Sequence, residues 1–266
     1  MASEPARATT VSSTRDDSAP WVTMVHAASH DHRYFSAQVQ ALRDDHRLLL
    51  VDLPGHGASV DLPGPFGFEE YAQSVLAAMD DAGVEDTHYV GTHTGAAVGI
   101  ILATRHPQRF SSLVLEGPPI PGNDMPSVVD SFARVREAAL RDGPQAAIAE
   151  WYRSGRWFDV IRNNPARCRA DEHWDMLSAH TCRPWIDPRR AQPVTPVIEK
   201  LGTVRCPVLI LNGEHDVEDF LAAAETLERN LGDARRVRIA GAGGFPMWED
   251  PTAANAEIRR HITGRT

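Results

Sequence analysis

Gly91-Thr92-His93-Thr94-Gly95 joins the end of an apolar segment, residues 88–90, to a run of small and aliphatic residues that starts at Ala96. The two glycines permit a sharp turn, because glycine tolerates backbone conformations that other residues rarely adopt. A strand followed by such a turn and a helix holds the central side chain out over the sheet in a strained backbone conformation. The stretch therefore predicts a strand–turn–helix elbow with His93 at its apex.

The segments around this elbow alternate between strand and helix patterns. Short apolar runs typical of buried strands are residues 21–26, 47–53, 112–115, 207–211 and 236–239. Apolar residues at helical spacing occur in residues 34–44, 67–82 and 96–105. Such alternation predicts an α/β fold in which a mostly parallel sheet is flanked by helices on both faces.

The alternation stops in residues 121–196, and this break defines the expected domains. Four of the six tryptophans lie in this stretch, which predicts a helical cap or lid inserted into the α/β core. The core itself is expected at residues 19–120 and 197–266. Residues 1–18 are small, polar and charged, which is typical of a disordered leader.

The composition limits the classes of partner. The formal net charge of the 266-residue chain is −9 and its arginines are dispersed, which argues against a nucleic-acid partner. No apolar run approaches the roughly 20 residues of a membrane helix, and residues 1–18 lack the apolar stretch of a signal peptide. The three cysteines, an odd number, suit a reducing compartment. We therefore expect a cytoplasmic protein that binds neither nucleic acid nor membrane.

In its motifs and their order, the chain resembles the α/β-hydrolase superfamily from about residue 21 to residue 262. Residues 91–95 resemble the nucleophile elbow G-x-S-x-G. Residues 25–28 (VHAA) resemble the His-Gly loop that supplies an oxyanion-hole amide. Residues 51–59 (VDLPGHGAS) resemble the D-x-P-G-x-G-x-S loop of the family. Residues 211–216 (LNGEHD) resemble the segment that carries the catalytic acid, here Asp216. Residues 241–251 (GAGGFPMWEDP) resemble the segment that carries the catalytic histidine.

Two positions depart from this family pattern. His93 stands where the family has its nucleophilic serine, and Gly244 stands where it has the histidine that acts as base. A hydrolase of this fold needs a hydroxyl that is activated by an imidazole, which an acid in turn orients. Thr92 and Thr94 flank the apex and are not expected to occupy it. The departures argue against an acyl-enzyme mechanism.

The same departures indicate that an imidazole has moved from the base loop to the elbow. The two loops face each other in this fold, so His93 is expected to act as general base, since its ordinary pKa of about 6.5 lies near working pH. Glu116 and Asp216 both follow strands and are the candidates to orient it. Backbone amides near Ala27 and Thr94 are expected to stabilise an oxyanion. The alternative is an inactivated site that retains only a binding pocket.

His30-Asp31-His32-Arg33 carries a narrower resemblance. The run is similar to one in the cofactor-independent dioxygenases that cleave 3-hydroxy-4-quinolones. In that family a His–Asp dyad deprotonates a substrate hydroxyl, and the anion reacts with oxygen without metal or flavin. The resemblance implies that His30 lines the pocket and that Glu116 stands at the position of the acid. A helix start capped by Asp31 is an equally good interpretation of the run.

The sequence leaves three functions open. The first is cofactor-free acid–base chemistry on a hydroxylated aromatic or enolisable small molecule, such as oxygen insertion, cyclisation or C–C cleavage. The others are a hydrolase in which His93 activates water on an ester, lactone or epoxide, and an inactive binding protein. The histidines lack the spacing of a metal site, and we expect neither metal nor cofactor. The expected substrate-binding residues are Ala28, His30, Trp151, Trp157, Trp185 and Gly244.

Overall fold

A seven-stranded sheet lies at the centre of the molecule. The computed structural model describes residues 5–264. The strands are β1 (Arg7–Val11), β2 (Trp21–Val25), β3 (Arg47–Asp52), β4 (Thr87–Thr92), β5 (Phe110–Glu116), β6 (Val208–Gly213) and β7 (Ala234–Ile239). Their order across the sheet is β1-β3-β2-β4-β5-β6-β7. Strand β1 is antiparallel to β3 and the other pairs are parallel, which confirms the predicted fold class.

Helices flank the sheet and fill the segment between β5 and β6. The α-helices of the described residues are α1 (Ser36–Leu42), α2 (Phe68–Asp81), α3 (Thr94–Arg105), α4 (Pro126–Asp142), α5 (Pro144–Ser154), α6 (Asp159–Asn163), α7 (Ala170–Ser178), α8 (Arg183–Ile186), α9 (Glu218–Asn230), α10 (Pro246–Glu249) and α11 (Pro251–Ile262). Helices α4 to α8 lie within residues 121–196. Within residues 5–264, no helix is both long and apolar enough to span a membrane.

Alternation along the strands places apolar side chains on both faces of the sheet. In β3, Leu48 and Leu50 pack in a core that also contains residues of α1, α11 and helices α4 to α7. Leu49 and Val51 point the other way, into a core shared with α2, α3 and α9. Because burial of each such side chain contributes about 1.5–3 kcal/mol, both cores hold helices against the sheet. The inserted helices therefore share one core with a face of the sheet.

Strand β1 corrects the expectation of a disordered leader over residues 1–18. It pairs with β3 in register, from Arg7 opposite Asp52 to Val11 opposite Leu48. Its side chains are mostly exposed, so the segment lacks the apolar pattern by which buried strands are recognised. Backbone pairing with the open edge of β3, aided by the β-branched Thr9 and Thr10, explains the strand instead. Residues 1–4 of the expected leader lie outside the described residues.

Candidate active site

His93 occupies the apex of a tight elbow between β4 and α3. Its backbone has φ 44° and ψ −103°, a conformation that residues other than glycine rarely adopt. The neighbouring glycines have no room for a side chain, because a Cβ at Gly91 would lie 2.6 Å from the amide nitrogen of Ala96, and one at Gly95 would collide with the Val25 carbonyl. The GTHTG stretch thus forms the strained turn that its glycines predict.

The imidazole of His93 is fixed by a backbone carbonyl. Its Nε2 lies 2.8 Å from the carbonyl oxygen of Gly244. Since a carbonyl oxygen only accepts hydrogen bonds, Nε2 carries the proton and donates it. The other nitrogen, Nδ1, has no hydrogen-bond partner within residues 5–264. The ring packs edge-on against Phe220, with centroids 4.4 Å apart, and against Phe245 at 4.8 Å.

This environment keeps His93 neutral at neutral pH. Burial lowers the pKa of His93 to about 4, because the buried ring is penalised for carrying a charge. The Gly244 carbonyl offsets only part of that penalty. The proton-free Nδ1 is therefore available as a base.

The carboxylate of Glu116 does not orient His93. It accepts hydrogen bonds from the Tyr34 hydroxyl at 2.7 Å and from the Met247 backbone N–H at 2.6 Å. The contact between Glu116 and His93 is instead through the backbone, where the His93 N–H donates to the Glu116 carbonyl at 2.8 Å. Burial raises the pKa of Glu116 to about 8. The expectation that Glu116 orients the imidazole is wrong, because its oxygens accept hydrogen bonds from Tyr34 and from the backbone of α10.

Asp216 is likewise occupied by other donors. Its carboxylate accepts hydrogen bonds from Asn212 Nδ2 at 2.9 Å and from the Val217 N–H at 2.8 Å. Burial raises the pKa of Asp216 to about 7. Neither this residue nor Glu116 hydrogen-bonds the imidazole of His93, so the expected orienting carboxylate is replaced by the Gly244 carbonyl.

The position of Gly244 is closed to a larger side chain. A Cβ there would lie 2.5 Å from the Cβ of Trp157 and 2.8 Å from its carbonyl oxygen. Part of this contact is with backbone, which a change of side chain does not move. An imidazole at position 244 is therefore incompatible with the observed packing of Trp157.

His93 lines an apolar cavity of about 230 Å³. Its neighbours in the lining include Ala27, Ala28, Ser29 and Thr94. The walls are largely aromatic and aliphatic, from Phe68, Pro119, Ile120, Met125, Val128, Val129, Phe132, Trp151, Trp157, Phe220 and Phe245. The lining contains no Lys, Arg, Asp or Glu side chain. Such a cavity suits an uncharged apolar ligand.

Backbone amides beside His93 are available to a ligand. The N–H groups of Ala27, Ala28 and Thr94 donate no hydrogen bond within residues 5–264. Thr94 is the first residue of α3, where the N–H has no partner in its own helix and the helix dipole favours negative charge. All three residues line the cavity. The arrangement fits an oxyanion hole.

Three of the expected binding residues, His30, Trp185 and Gly244, lie outside this lining. His30 lines a second, more polar cavity of about 440 Å³, and its ring contacts that of Phe245 with centroids 4.8 Å apart. Trp185 packs against Trp151 at 5.4 Å and against His180 at 4.4 Å. Trp151 and Trp157 line the cavity, whereas Gly244 contributes only its carbonyl, which accepts a hydrogen bond from His93.

One group of side chains in residues 5–264 is close enough to share a cation: Asp31, His32 and Asp52. His32 Nδ1 lies 2.8 Å from Asp52, and Asp31 forms an ion pair with Arg33 at 2.6 Å. Asp31 also accepts from the Arg33 N–H at the start of a short helix, which bears out the capping interpretation of the HDHR run. Because the carboxylate oxygens of Asp31 and Asp52 already accept hydrogen bonds from protein groups, we assign the three residues a structural role in their loop.

Several residues that line the cavity were not among the binding residues expected from the sequence. Met125, Val128, Val129 and Phe132 all line the cavity from the start of α4. Their i, i+3, i+4, i+7 spacing is typical of one face of a helix, so the hydrophobic periodicity of the sequence is the signal that could have identified them. Phe220 and Phe245 come from segments that reach the site only through the fold. Sequence spacing gives no signal for them.

The site lies on a fold with many known relatives. The family model described as the alpha/beta hydrolase fold matches residues 20–251. The putative carbamate hydrolase RutD of Pseudomonas savastanoi pv. phaseolicola is 25% identical over 249 residues, covering 93% of this chain and 95% of that protein. The 3-oxoadipate enol-lactonase 1 of Acinetobacter baylyi is 23% identical, covering 81% and 78%. The enol-lactonase structure from Burkholderia xenovorans LB400 has TM-score 0.81 at 22% identity, covering 97% and 96% of the two chains.

Proposed function

The chain belongs to the α/β-hydrolase-fold family, and we propose that it hydrolyses a small uncharged ester, lactone or carbamate, with His93 as the base that activates water. The observation that carries the proposal is the unpartnered Nδ1 of His93 in an apolar cavity beside the free amides of Ala28 and Thr94. Relatives named as carbamate hydrolase and enol-lactonase support hydrolysis over the other reactions that the sequence left open.

The chemistry follows from the hydrogen bonds. The Gly244 carbonyl holds the tautomer in which Nδ1 is unprotonated, so Nδ1 can take a proton from a water molecule. The resulting hydroxide attacks the acyl carbon, and the amides of Ala28 and Thr94 bind the carbonyl oxygen as it becomes negative. General-base assistance of this kind is worth about 10²–10⁴ in rate. The protonated His93 then returns its proton to the leaving group.

The walls of the cavity restrict the substrate. With no charged side chain in the lining, a substrate that bears a carboxylate would lose its hydration without gaining an ion pair. The rings of Trp151, Trp157 and Phe132 pack against one another and line the cavity, so they suit an apolar or aromatic substituent of the substrate. We therefore place the substrate among uncharged esters, lactones and carbamates with an apolar or aromatic substituent.

Oxygen-dependent cleavage of a hydroxylated aromatic is the second candidate. The aromatic walls favour it, and it uses the same base. However, His30, which the dioxygenase resemblance implies as a pocket residue, does not line the His93 cavity. Hydrolysis is therefore the better supported function.

A substrate screen separates these functions. The purified protein is offered p-nitrophenyl esters with apolar acyl groups, simple lactones and aryl carbamates. In parallel, 3-hydroxy-4-quinolone is offered with dissolved oxygen recorded under air and under nitrogen. We expect hydrolysis that is equal under both gases and at least about 100-fold slower in His93→Ala. Oxygen consumption that depends on His93 would support the second candidate instead. Binding without any turnover would leave a catalytically inactive binding protein.

A further inference from the structure

A serine and two histidines form a hydrogen-bonded chain beside the elbow. Ser29 Oγ lies 3.2 Å from Nδ1 of His30, and Nε2 of His30 lies 3.0 Å from Nε2 of His173. All three side chains are buried, with at most 3% of each residue exposed. A hydroxyl within hydrogen-bond reach of an imidazole that a third group holds is the arrangement of an activated nucleophile.

The first member of this chain lies at the cavity of His93. Ser29 lines that cavity together with Ala28 and Thr94, whose amides are free to bind an oxyanion. Ser29 also lines the polar cavity, so this residue borders both cavities. The loop is held by a hydrogen bond from the His30 N–H to the Ala27 carbonyl at 3.0 Å. Ser29 therefore supplies a hydroxyl-bearing residue at the border of the His93 cavity, where the elbow has none.

We propose that Ser29 is the nucleophile of a covalent step, with His30 as its base and His173 as a positioning residue, and that His93 activates the water that removes the acyl group. The inference rests on the proposed hydrolytic function and deepens it. The expectation against an acyl-enzyme considered only the elbow, where no hydroxyl occupies the apex.

The two steps balance. In the first, Ser29 Oγ bonds to the acyl carbon while its proton passes to Nδ1 of His30, and this proton then leaves with the alcohol. In the second, Nδ1 of His93 takes a proton from water, the hydroxide attacks the acyl carbon, and the bond to Ser29 Oγ breaks. The proton returns to Ser29, and the acid is released. No metal, oxidant or reductant takes part.

The surroundings of His30 favour the tautomer that this step needs. Burial and the neighbouring imidazoles hold the pKa of His30 well below its ordinary value, so the ring is neutral and can accept the serine proton. Its Nε2–H then donates to His173 Nε2. His173 is fixed by ring contacts with Phe158 at 5.6 Å and Trp248 at 5.2 Å, and its buried Nδ1 has no partner within the described residues.

The test is a pre-steady-state experiment with p-nitrophenyl acetate. In His93→Ala, the first step survives and the second fails, so we expect a burst of about one equivalent of p-nitrophenol followed by a stall. Mass spectrometry of the stalled protein should find the acetyl group on Ser29. Ser29→Ala should remove both burst and adduct. In His173→Phe the burst should slow at least about 10-fold with little change in the substrate concentration that half-saturates it.

Ser112→Ala is the matched control, because Ser112 is a buried serine that also hydrogen-bonds an imidazole, His88 Nδ1, at 2.8 Å, but lies outside the cavity lining. It should leave the burst unchanged. A fluorophosphonate probe on the unmodified protein gives an independent measurement, and it should label Ser29.

The outcomes separate this inference from the proposed function. Steady hydrolysis that depends on His93 but persists in Ser29→Ala, with no label on Ser29, would overturn the covalent step and keep the hydrolase. A label on Ser29 together with failure of every ester, lactone and carbamate to turn over would keep the nucleophile and overturn the hydrolase.

Discussion

The imidazole of His93 has one nitrogen on a backbone carbonyl and the other free at an apolar cavity. In a catalytic triad a carboxylate stabilises the imidazolium that forms during reaction. Here the neutral carbonyl of Gly244 takes the place of the carboxylate. Its effect on the pKa of His93 is smaller than that of burial, which lowers this pKa to about 4. The residue is thus always ready to accept a proton at neutral pH, but it gives a smaller driving force than a carboxylate-paired histidine.

The pH dependence of turnover should report this environment. The neutral form of His93 is the active one, so kcat is expected to be constant above about pH 6 and to fall as the pH drops through about 4. The check is a kcat profile from stopped-flow assays, with circular dichroism at each pH to verify folding. An acid limb centred at the ordinary imidazole pKa of about 6.5 would contradict the burial of this base.

The buried carboxyl of Glu116 should make the stability of the protein depend on pH. Its pKa of about 8 in the folded state exceeds the ordinary 4.5, so the folded protein retains a proton that the unfolded chain loses between these values. Its contribution to stability is present below about pH 4.5 and falls as the pH rises, by up to about 1.4 kcal/mol per pH unit. Glu116→Gln mimics the protonated group, because its amide oxygen can still accept from the Met247 N–H while its NH2 donates to the Tyr34 hydroxyl oxygen.

Urea unfolding of this variant and the unmodified protein at about pH 5 and pH 8 measures the effect. The variant should gain stability relative to the unmodified protein only at the higher pH. Glu137→Gln, at an exposed position of α4, is the control and should show no such difference. Equal effects of Glu116→Gln at both pH values would show that this carboxyl is charged throughout.

At the scale of elements, the site depends on how the loop before α10 packs against the cap. Glu249 accepts hydrogen bonds from the backbone N–H groups of Gly243 and Phe245, and Trp157 packs directly over Gly244. These contacts fix the Gly244 carbonyl that holds His93. The missing side chain at position 244 is thus part of the architecture of this site.

Gly244→Ala tests this packing. The added Cβ meets both side chain and backbone of Trp157, so the variant should lose about 1–3 kcal/mol of stability and also turn over more slowly. Gly202→Ala is the control, since a Cβ at Gly202 meets nothing within 4 Å, and it should change stability by less than about 1 kcal/mol. Denaturant unfolding measures both. A Gly244→Ala variant as stable as the control would contradict the close packing.

The elements differ in how well sequence predicts them. The elbow was predictable because two glycines and a strand-to-helix change lie within residues 91–95, and the apolar strands of the sheet were predictable from their composition. The edge strand β1 was missed because backbone pairing, which has no side-chain signal, stabilises it. The hydrogen bond from His93 to the Gly244 carbonyl was also not predicted, because a backbone acceptor leaves no side-chain signal in the sequence. His173 meets His30 across 143 residues, a contact that only the fold creates.

For the whole molecule, buried titratable groups set the pH range of stability. Burial lowers the pKa of His56, His88 and His93 to about 4 and of His173 to about 3, and it holds the pKa values of His30 and His180 well below 6.5. The contribution of these histidines to the free energy of unfolding is complete above about pH 6.5 and is lost as the pH falls. Glu116, Asp216 and Glu249, with pKa values of about 8, 7 and 7, contribute in the opposite direction as the pH rises from about 4.5 to 8.

The free energy of unfolding should therefore have a maximum between about pH 6 and 7 and fall more steeply on the acid side, where more groups titrate. Urea titrations across about pH 4.5 to 9 check this. A stability that rises continuously from pH 7 to 9 would contradict the buried, protonated carboxyl groups.

The central claim is that His93 acts as a base in hydrolysis at a site without an elbow hydroxyl. The most direct measurement compares His93→Gln with the unmodified protein on the best ester or lactone of the screen. We expect a fall in kcat of at least about 100-fold, accompanied by a fall in KM if the acyl group accumulates on Ser29. The exposed His215, replaced in His215→Gln, should have no effect on either constant. A His93→Gln enzyme that retains kcat within about threefold would contradict the account.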